Sequence, residues 1–177
     1  MYTRNRLTRL SRVFTMLLLA VTVVAMGRTA HAADDDKEAD AHHHHATHGA
    51  RHVSLFVGGT SAAGHTSFTL GGEAEYRLPI WQRRLGVGAL VDATFGEYAH
   101  TIAGGLLTAR PVPGVSNVKL LVAPAAMRAH GHSYILMRTG LAVDFHVQSF
   151  SISPMVHLDF VKGETDTVFG VAFGMGF

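Results

Sequence analysis

Bulky apolar residues fall at every second position through one segment of the chain after another, and the last segment shows the pattern most cleanly. Phe169, Val171, Phe173, Met175 and Phe177 alternate there with Val168, Gly170, Ala172, Gly174 and Gly176. Successive side chains of a β-strand point to opposite faces, so this period predicts a strand with one broad apolar face and one face of small residues. Residues 67–78 repeat it, with Phe68, Leu70, Ala74, Tyr76 and Leu78 on one face and Thr69, Glu73, Glu75 and Arg77 on the other. In 84–95, Leu85, Val87, Ala89, Val91, Ala93 and Phe95 oppose Arg84, Gly86, Gly88, Asp92 and Thr94. In 134–145, Ile135, Met137, Thr139, Leu141, Val143 and Phe145 oppose Arg138, Gly140, Ala142 and Asp144. In 150–160, Phe150, Ile152, Pro154, Val156, Leu158 and Phe160 oppose Ser151, Ser153, Met155, His157 and Asp159. Strands are also predicted at 52–60, 101–110 and 118–127, which makes eight in all. The faces of 101–110 and 118–127 stay open. Pro79 and the run Pro111, Val112, Pro113, Gly114 supply turn signals between strands.

The sorting of charge decides what kind of β-protein this is. A soluble barrel keeps apolar residues inside and polar ones outside, whereas these strands put nearly every Asp, Glu and Arg opposite the bulky apolar row. The apolar face is therefore the lipid-facing one. Tyr76, Phe95, Phe145, Phe150, Phe160 and Phe177 lie near strand ends, where interfacial aromatic girdles belong. The predicted fold is all-β: an eight-stranded antiparallel up-and-down transmembrane β-barrel with a disordered N-terminal tail.

The first residues give the destination. Arg4, Arg6, Arg9 and Arg12 precede an apolar run from 13 to 26, and Ala30, His31 and Ala32 form a small-x-small cleavage pattern. Residues 1–32 read as a secretory signal peptide, since the apolar run is short of the about 20 residues a membrane helix needs. Residues 33–51 are polar and low in complexity, with Asp34, Asp35, Asp36, Glu38 and Asp40 ahead of His42, His43, His44, His45 and His48. This is the expected disordered tail, and 52–177 is the barrel. Cleavage removes five of the 15 Lys and Arg residues and none of the 13 acids, so the mature net charge is 10 minus 13, or −3. The remaining basic residues are scattered without stacking aromatics, which excludes a nucleic-acid partner. With no cysteine in the chain, disulfides and thiolate metal sites are excluded.

The aromatic ending, with Phe173, Met175 and Phe177 at alternate positions, resembles the assembly signal of Gram-negative outer-membrane proteins. Together with the strand number, it makes residues 52–177 similar to the small eight-stranded class of the OmpA membrane domain and OmpX. The resemblance implies a cell outer membrane location, the tail in the periplasm, handling by the barrel assembly machinery, outer-membrane lipid as surroundings, and a monomer. It places the turns 79–82, 111–117 and 146–148 in the periplasm, and those at 61–66, 97–100, 129–132 and 162–166 outside.

An eight-stranded barrel is just wide enough for its own side chains, so the inward residues should form a packed polar plug. The candidate lumen network is Glu73, Glu75, Arg77, Arg84, Asp92, Arg138, Asp144, His157 and Asp159, charges that persist in such a place only when paired. Within it a cluster of Arg138, His157 and Asp159 is expected, with His157 opposite both Arg138 and Ala172, and Asp159 opposite Gly170. The function this supports is a non-enzymatic barrel with a structural or membrane-integrity role. No cofactor is required. His42, His43, His44, His45 and His48 are candidate weak ligands for Zn, Ni or Cu, because neutral imidazoles in a mobile segment chelate without fixed geometry. His65, His100, His130 and His132 are a second histidine group, near the external turns. Two alternatives remain, a narrow passive channel and a lipid A-modifying enzyme. The deacylases of the latter kind carry a His-x-Ser-Asn pattern that His130, Gly131, His132, Ser133 and Tyr134 do not reproduce.

Overall fold

The computed structural model describes residues 50–111 and 117–177. The leader and the histidines of the tail lie outside them. The strands are β1 (Arg51–Ala62), β2 (His65–Arg77), β3 (Leu85–Phe95), β4 (His100–Ala109), β5 (Val118–Ala129), β6 (His132–Val143), β7 (Phe145–Val147), β8 (Phe150–Val161) and β9 (Glu164–Gly176). Short β7 continues β6 past Asp144, so these segments make eight staves. Each stave is antiparallel to its neighbours, and β1 pairs β9 along ten residue pairs from His52↔Gly176 to Ser61↔Thr167. That pairing closes the sheet on itself and leaves no edge with unpaired backbone groups, which lipid would not tolerate.

The alternation read from the sequence is reproduced in space. Val53, Leu55, Phe68, Leu70, Val91, Phe95, Ile135, Phe160, Phe169 and Phe173 are exposed on the outer face. Thr69, Glu73, Glu75, Asp92, Arg138, Ser153, His157 and Asp159 are buried within. Phe173, Met175 and Phe177 all point outward at one end of the barrel.

The connections are shorter than the sequence suggested. The turns expected at 61–66, 129–132 and 162–166 reduce to Ala63–Gly64, His130–Gly131 and Lys162–Gly163. In each pair both residues have positive φ, as at Lys162 (50°) and Gly163 (78°). This is the type I′ geometry whose twist matches that of the strands it joins, and glycine serves its second position without steric cost. The strands therefore run on into what looked like loop.

Tight turns also reset the register. Lys162–Gly163 sets Asp159 opposite Asp166 and His157 opposite Val168, in place of the expected Gly170 and Ala172. Between β6 and β8 the Gln148–Ser149 turn sets Arg138 opposite Asp159 and Gly140 opposite His157. The expected Arg138↔His157 pairing is thus off by two residues. The first correction comes from a two-residue turn in place of the expected 162–166, and the second from a turn that lies at 148–149, toward the C-terminus of the expected 146–148. Parity survives, because each shift is an even number and each side chain keeps its face.

β4 and β5, whose faces the pattern left open, turn Ile102, Leu106, Thr108, Lys119, Leu121, Ala123 and Ala125 inward. The lumen is consequently not a wholly polar plug. Leu90, Ile102, Leu106, Leu121, Ala123, Ala125, Leu136 and Val161 form an apolar cluster along β3 to β6 and β8, joined by Met127 and Tyr134. Phe56, Ala142, Met155, Val168 and Ala172 form a smaller one. Hence Val91→Arg, which puts a charge mid-strand on the outer face, should lower the unfolding free energy in lipid vesicles by about 2–4 kcal/mol. Urea titration of the refolded protein measures it.

Candidate functional site: the charged lumen

Among the described residues, five acids, Glu73, Glu75, Asp92, Asp144 and Asp159, and four bases, Arg77, Arg110, Lys119 and Arg138, are buried inside the barrel, with the histidines His52 and His157. The upper group centres on Arg138, the least exposed of them at 1%. Its Nε donates to Asp159 Oδ1 at 2.6 Å and its Nη2 to Asp159 Oδ2 at 2.8 Å, a bidentate pair between neighbouring staves. Its Nη1 donates to Asp92 Oδ2 on β3, three staves away around the wall. Arg138 therefore ties opposite sides of the lumen together. Lys119 does the same from β5, donating to Glu73 Oε2 on β2 at 3.1 Å.

The other group lies toward the end where the chain enters β1. Arg110 Nη1 donates to Glu75 Oε1 at 2.8 Å and its Nη2 to Asp144 Oδ2 at 3.3 Å. Thr108 and Ser153 add hydroxyl donors, to Glu75 Oε1 at 2.9 Å and to Asp144 Oδ1 at 2.8 Å. Arg77 Nε stands 4.0 Å from Glu75 Oε1. His52 Nε2 and Ser151 Oγ lie 2.9 Å apart nearby. On the far side of Asp92, Thr60, Thr69 and Thr94 form a hydroxyl triangle, closest at 2.7 Å between Thr60 and Thr69.

Small residues make this packing fit. A Cβ on Gly71 would overlap the Asp92 carboxylate, one on Gly86 the Glu75 carboxylate, and one on Gly140 the imidazole of His157. The sockets are thus on neighbouring staves rather than the Gly170 to Gly176 row alone.

Of the lumen residues expected from sequence, Glu73, Glu75, Arg77, Asp92, Arg138, Asp144, His157 and Asp159 are all inside. Arg84 is not. It precedes β3, is half-exposed, and its Nη2 donates to Gln82 Oε1 at 2.8 Å in the turn. The expected triad also changes membership: Arg138 and Asp159 meet, but the third partner is Asp92. His157 instead stacks on Phe56 with ring centroids 6.3 Å apart, and neither ring nitrogen has a hydrogen-bond partner. Arg110 and Lys119 were missed altogether. Arg110 was hidden beside the Pro111 turn signal, and Lys119 sat in a strand with two apolar faces. A signal existed for Lys119, since a lysine within the predicted strand 118–127 has the lumen to face, which sets the odd positions of that strand inward.

No protein-family model and no curated protein matches the sequence. Among solved structures, the crystal structure of Neisserial surface protein A is similar, with a TM-score of 0.51 at 11% identity, over 72% of this chain and 96% of that one. The fold is that of a small outer-membrane-type barrel. At such identity the likeness extends to the fold alone, so the chemistry of this outer-membrane-type barrel has to come from its own residues.

At the loop end His65 and His100 both lie against Tyr98, and His132 lies against Tyr134. His65 Nδ1 is 3.8 Å from Glu97 Oε2, with its ring against Tyr98. His100 is held by the Tyr98 carbonyl at 2.8 Å and by Thr94 Oγ1 at 3.3 Å. His132 stacks on Tyr134, whose ring is also covered by Lys162 Nζ at 3.5 Å. Among the described residues, no three His, Asp or Glu side chains are placed to hold a metal ion.

Removing Arg138 would leave two buried carboxylates facing each other without their cation. Arg138→Met should therefore lower stability in vesicles by about 3–5 kcal/mol. Adding Asp92→Asn and Asp159→Asn to that variant should restore part of the loss, as read by urea titration with heat-modifiable gel mobility as the signal of folding.

Proposed function

We propose that the protein is a non-enzymatic barrel of the cell outer membrane with a structural, membrane-integrity role, monomeric, and with its N-terminal tail in the periplasm. The observation that carries this reading is the bracing of the lumen from side to side by Arg138 and Lys119. An ion crossing the barrel would have to break charge-assisted bonds buried among apolar side chains, so the arrangement favours a plug over a passive channel. Three of the four connections at the loop end are two-residue turns, which leaves little surface for a large external partner. Outer-membrane lipid and, during biogenesis, the barrel assembly machinery are the partners this reading requires.

A lipid A-modifying enzyme would need a serine activated by a histidine at the external leaflet. His132 and Ser133 are consecutive on β6 and so point to opposite faces. The hydrogen-bonded pair His52 and Ser151 is buried at the opposite end of the barrel. Both arrangements support the structural reading over a catalytic one. No cofactor belongs to this proposal. Zn, Ni or Cu held weakly by His42, His43, His44, His45 and His48 would be a property of the tail.

Two measurements test these statements. In planar bilayers the purified protein should give no steady unitary conductance, and reproducible single-channel steps would overturn the plug. In calorimetric titration with zinc, the full chain should bind weakly and a variant lacking residues 33–51 should not. Binding that survives the deletion would move the metal to the barrel.

A further inference from the structure

The connection between β2 and β3 differs from the two-residue hairpins at the other end. Trp81, Gln82 and Arg83 follow one another with φ of 47°, 54° and 58°, and none of them is glycine. Each Cβ is crowded in that left-handed region, so three such residues in a row represent stored strain, a feature that concentrates where a segment has a task beyond reversing the chain. The hairpins at Ala63–Gly64, His130–Gly131 and Lys162–Gly163 show that this chain reverses direction cheaply when reversal is all that is needed. The strained turn is closed by Arg83 N–H to the Ile80 carbonyl at 3.0 Å and Arg84 N–H to the Trp81 carbonyl at 3.1 Å.

Its effect is to hold two kinds of side chain outward together. Ile80 and Trp81 are 54% and 57% exposed, on a rim that also carries Tyr76. Arg83 is exposed, and the guanidinium of Arg84 is oriented by its bond to Gln82 Oε1. Charge at the two ends of the barrel is unequal. Among the described residues, the exposed acids Glu97 and Glu164 at the loop end are balanced by the exposed Arg128 and Lys162, whereas no exposed Asp or Glu stands at the end holding Arg51, Arg83 and Arg84, which is therefore the positive one. An indole settles at the level of lipid headgroups, and a guanidinium fork matches a phosphate better than any other side chain does.

From this we infer that the Ile80 to Arg84 turn is a binding site for the phosphate of an anionic phospholipid, in the leaflet at the end of the barrel where the chain enters β1. Ile80 and Trp81 sit among the upper acyl carbons and glycerol, and Arg83 and Arg84 take the phosphodiester. The inference rests on the membrane-spanning reading and adds lipid selectivity to it.

The chain contains a single tryptophan, so its fluorescence reports on this turn directly. The full chain is refolded into vesicles that mix phosphatidylcholine and phosphatidylglycerol, with bromine on the upper acyl carbons of one lipid or the other. Brominated phosphatidylglycerol should quench Trp81 at least about threefold more effectively than random mixing allows, a ratio within what two arginines at a lipid surface supply. Arg83→Ala with Arg84→Ala should bring the ratio to one while the protein stays folded by gel mobility. Equal quenching by both brominated lipids would overturn the selectivity and leave the membrane reading standing. Absence of quenching by either lipid in the folded protein would instead overturn the membrane reading. Loss of the excess on adding inorganic phosphate, at matched ionic strength, would show a site for free phosphate and overturn the lipid assignment.

Discussion

Arg138 is held by carboxylates from both sides of a lumen whose remaining side chains leave it almost no contact with solvent, and the rest of the interior is organised around that fact. A buried guanidinium is tolerable only when its donors are engaged, which fixes where Asp92 and Asp159 must stand and so which residues of β3, β6 and β8 face inward. Lys119 and Glu73 repeat the device between β5 and β2. Arg138 bonds along the wall to Asp159 on the adjoining stave and also across the barrel to Asp92, and Lys119 bonds across to Glu73, so the two crossing ion pairs couple staves that share no backbone hydrogen bond. The backbone ladder closes the cylinder, and the charges keep its opposite walls in fixed relation.

Much of this was legible in the sequence because the period of two survives errors of length. Glu73, Glu75, Asp92, Arg138 and Asp159 could be set inside from alternation alone, and the even register shifts left each of them there. What alternation does not carry is the height of one residue against another. That is set by turn length, and the three X-Gly turns were read as loops several residues too long. The glycines at 64, 131 and 163 were the available signal, since a glycine after one residue between alternating segments is the mark of a two-residue hairpin.

The other misreadings share a physical origin. β4 and β5 are apolar on both faces because their inner faces line the hydrophobic cluster around Ile102, Leu106 and Leu121. Periodicity carries little information when both environments are apolar, and what breaks the tie in β5 is Lys119, buried in the lumen, whereas Arg128 at the loop end of the same strand is exposed. Arg84 was assigned to the strand by position, whereas the strained turn before β3 takes it out of the lumen and into a bond with Gln82. The barrel's ends are therefore unlike: tight glycine turns with acids at one, and an aromatic and arginine rim at the other.

The central claim is that ion pairs across the lumen hold the barrel's walls together, and the pair least entangled with others is Lys119 with Glu73. A double-mutant cycle with Lys119→Met and Glu73→Gln, measured by urea unfolding in lipid vesicles, isolates their coupling. The account predicts a coupling of about 1–3 kcal/mol, with the double variant more stable than the sum of the single losses implies. Additive losses, with coupling near zero, would contradict it.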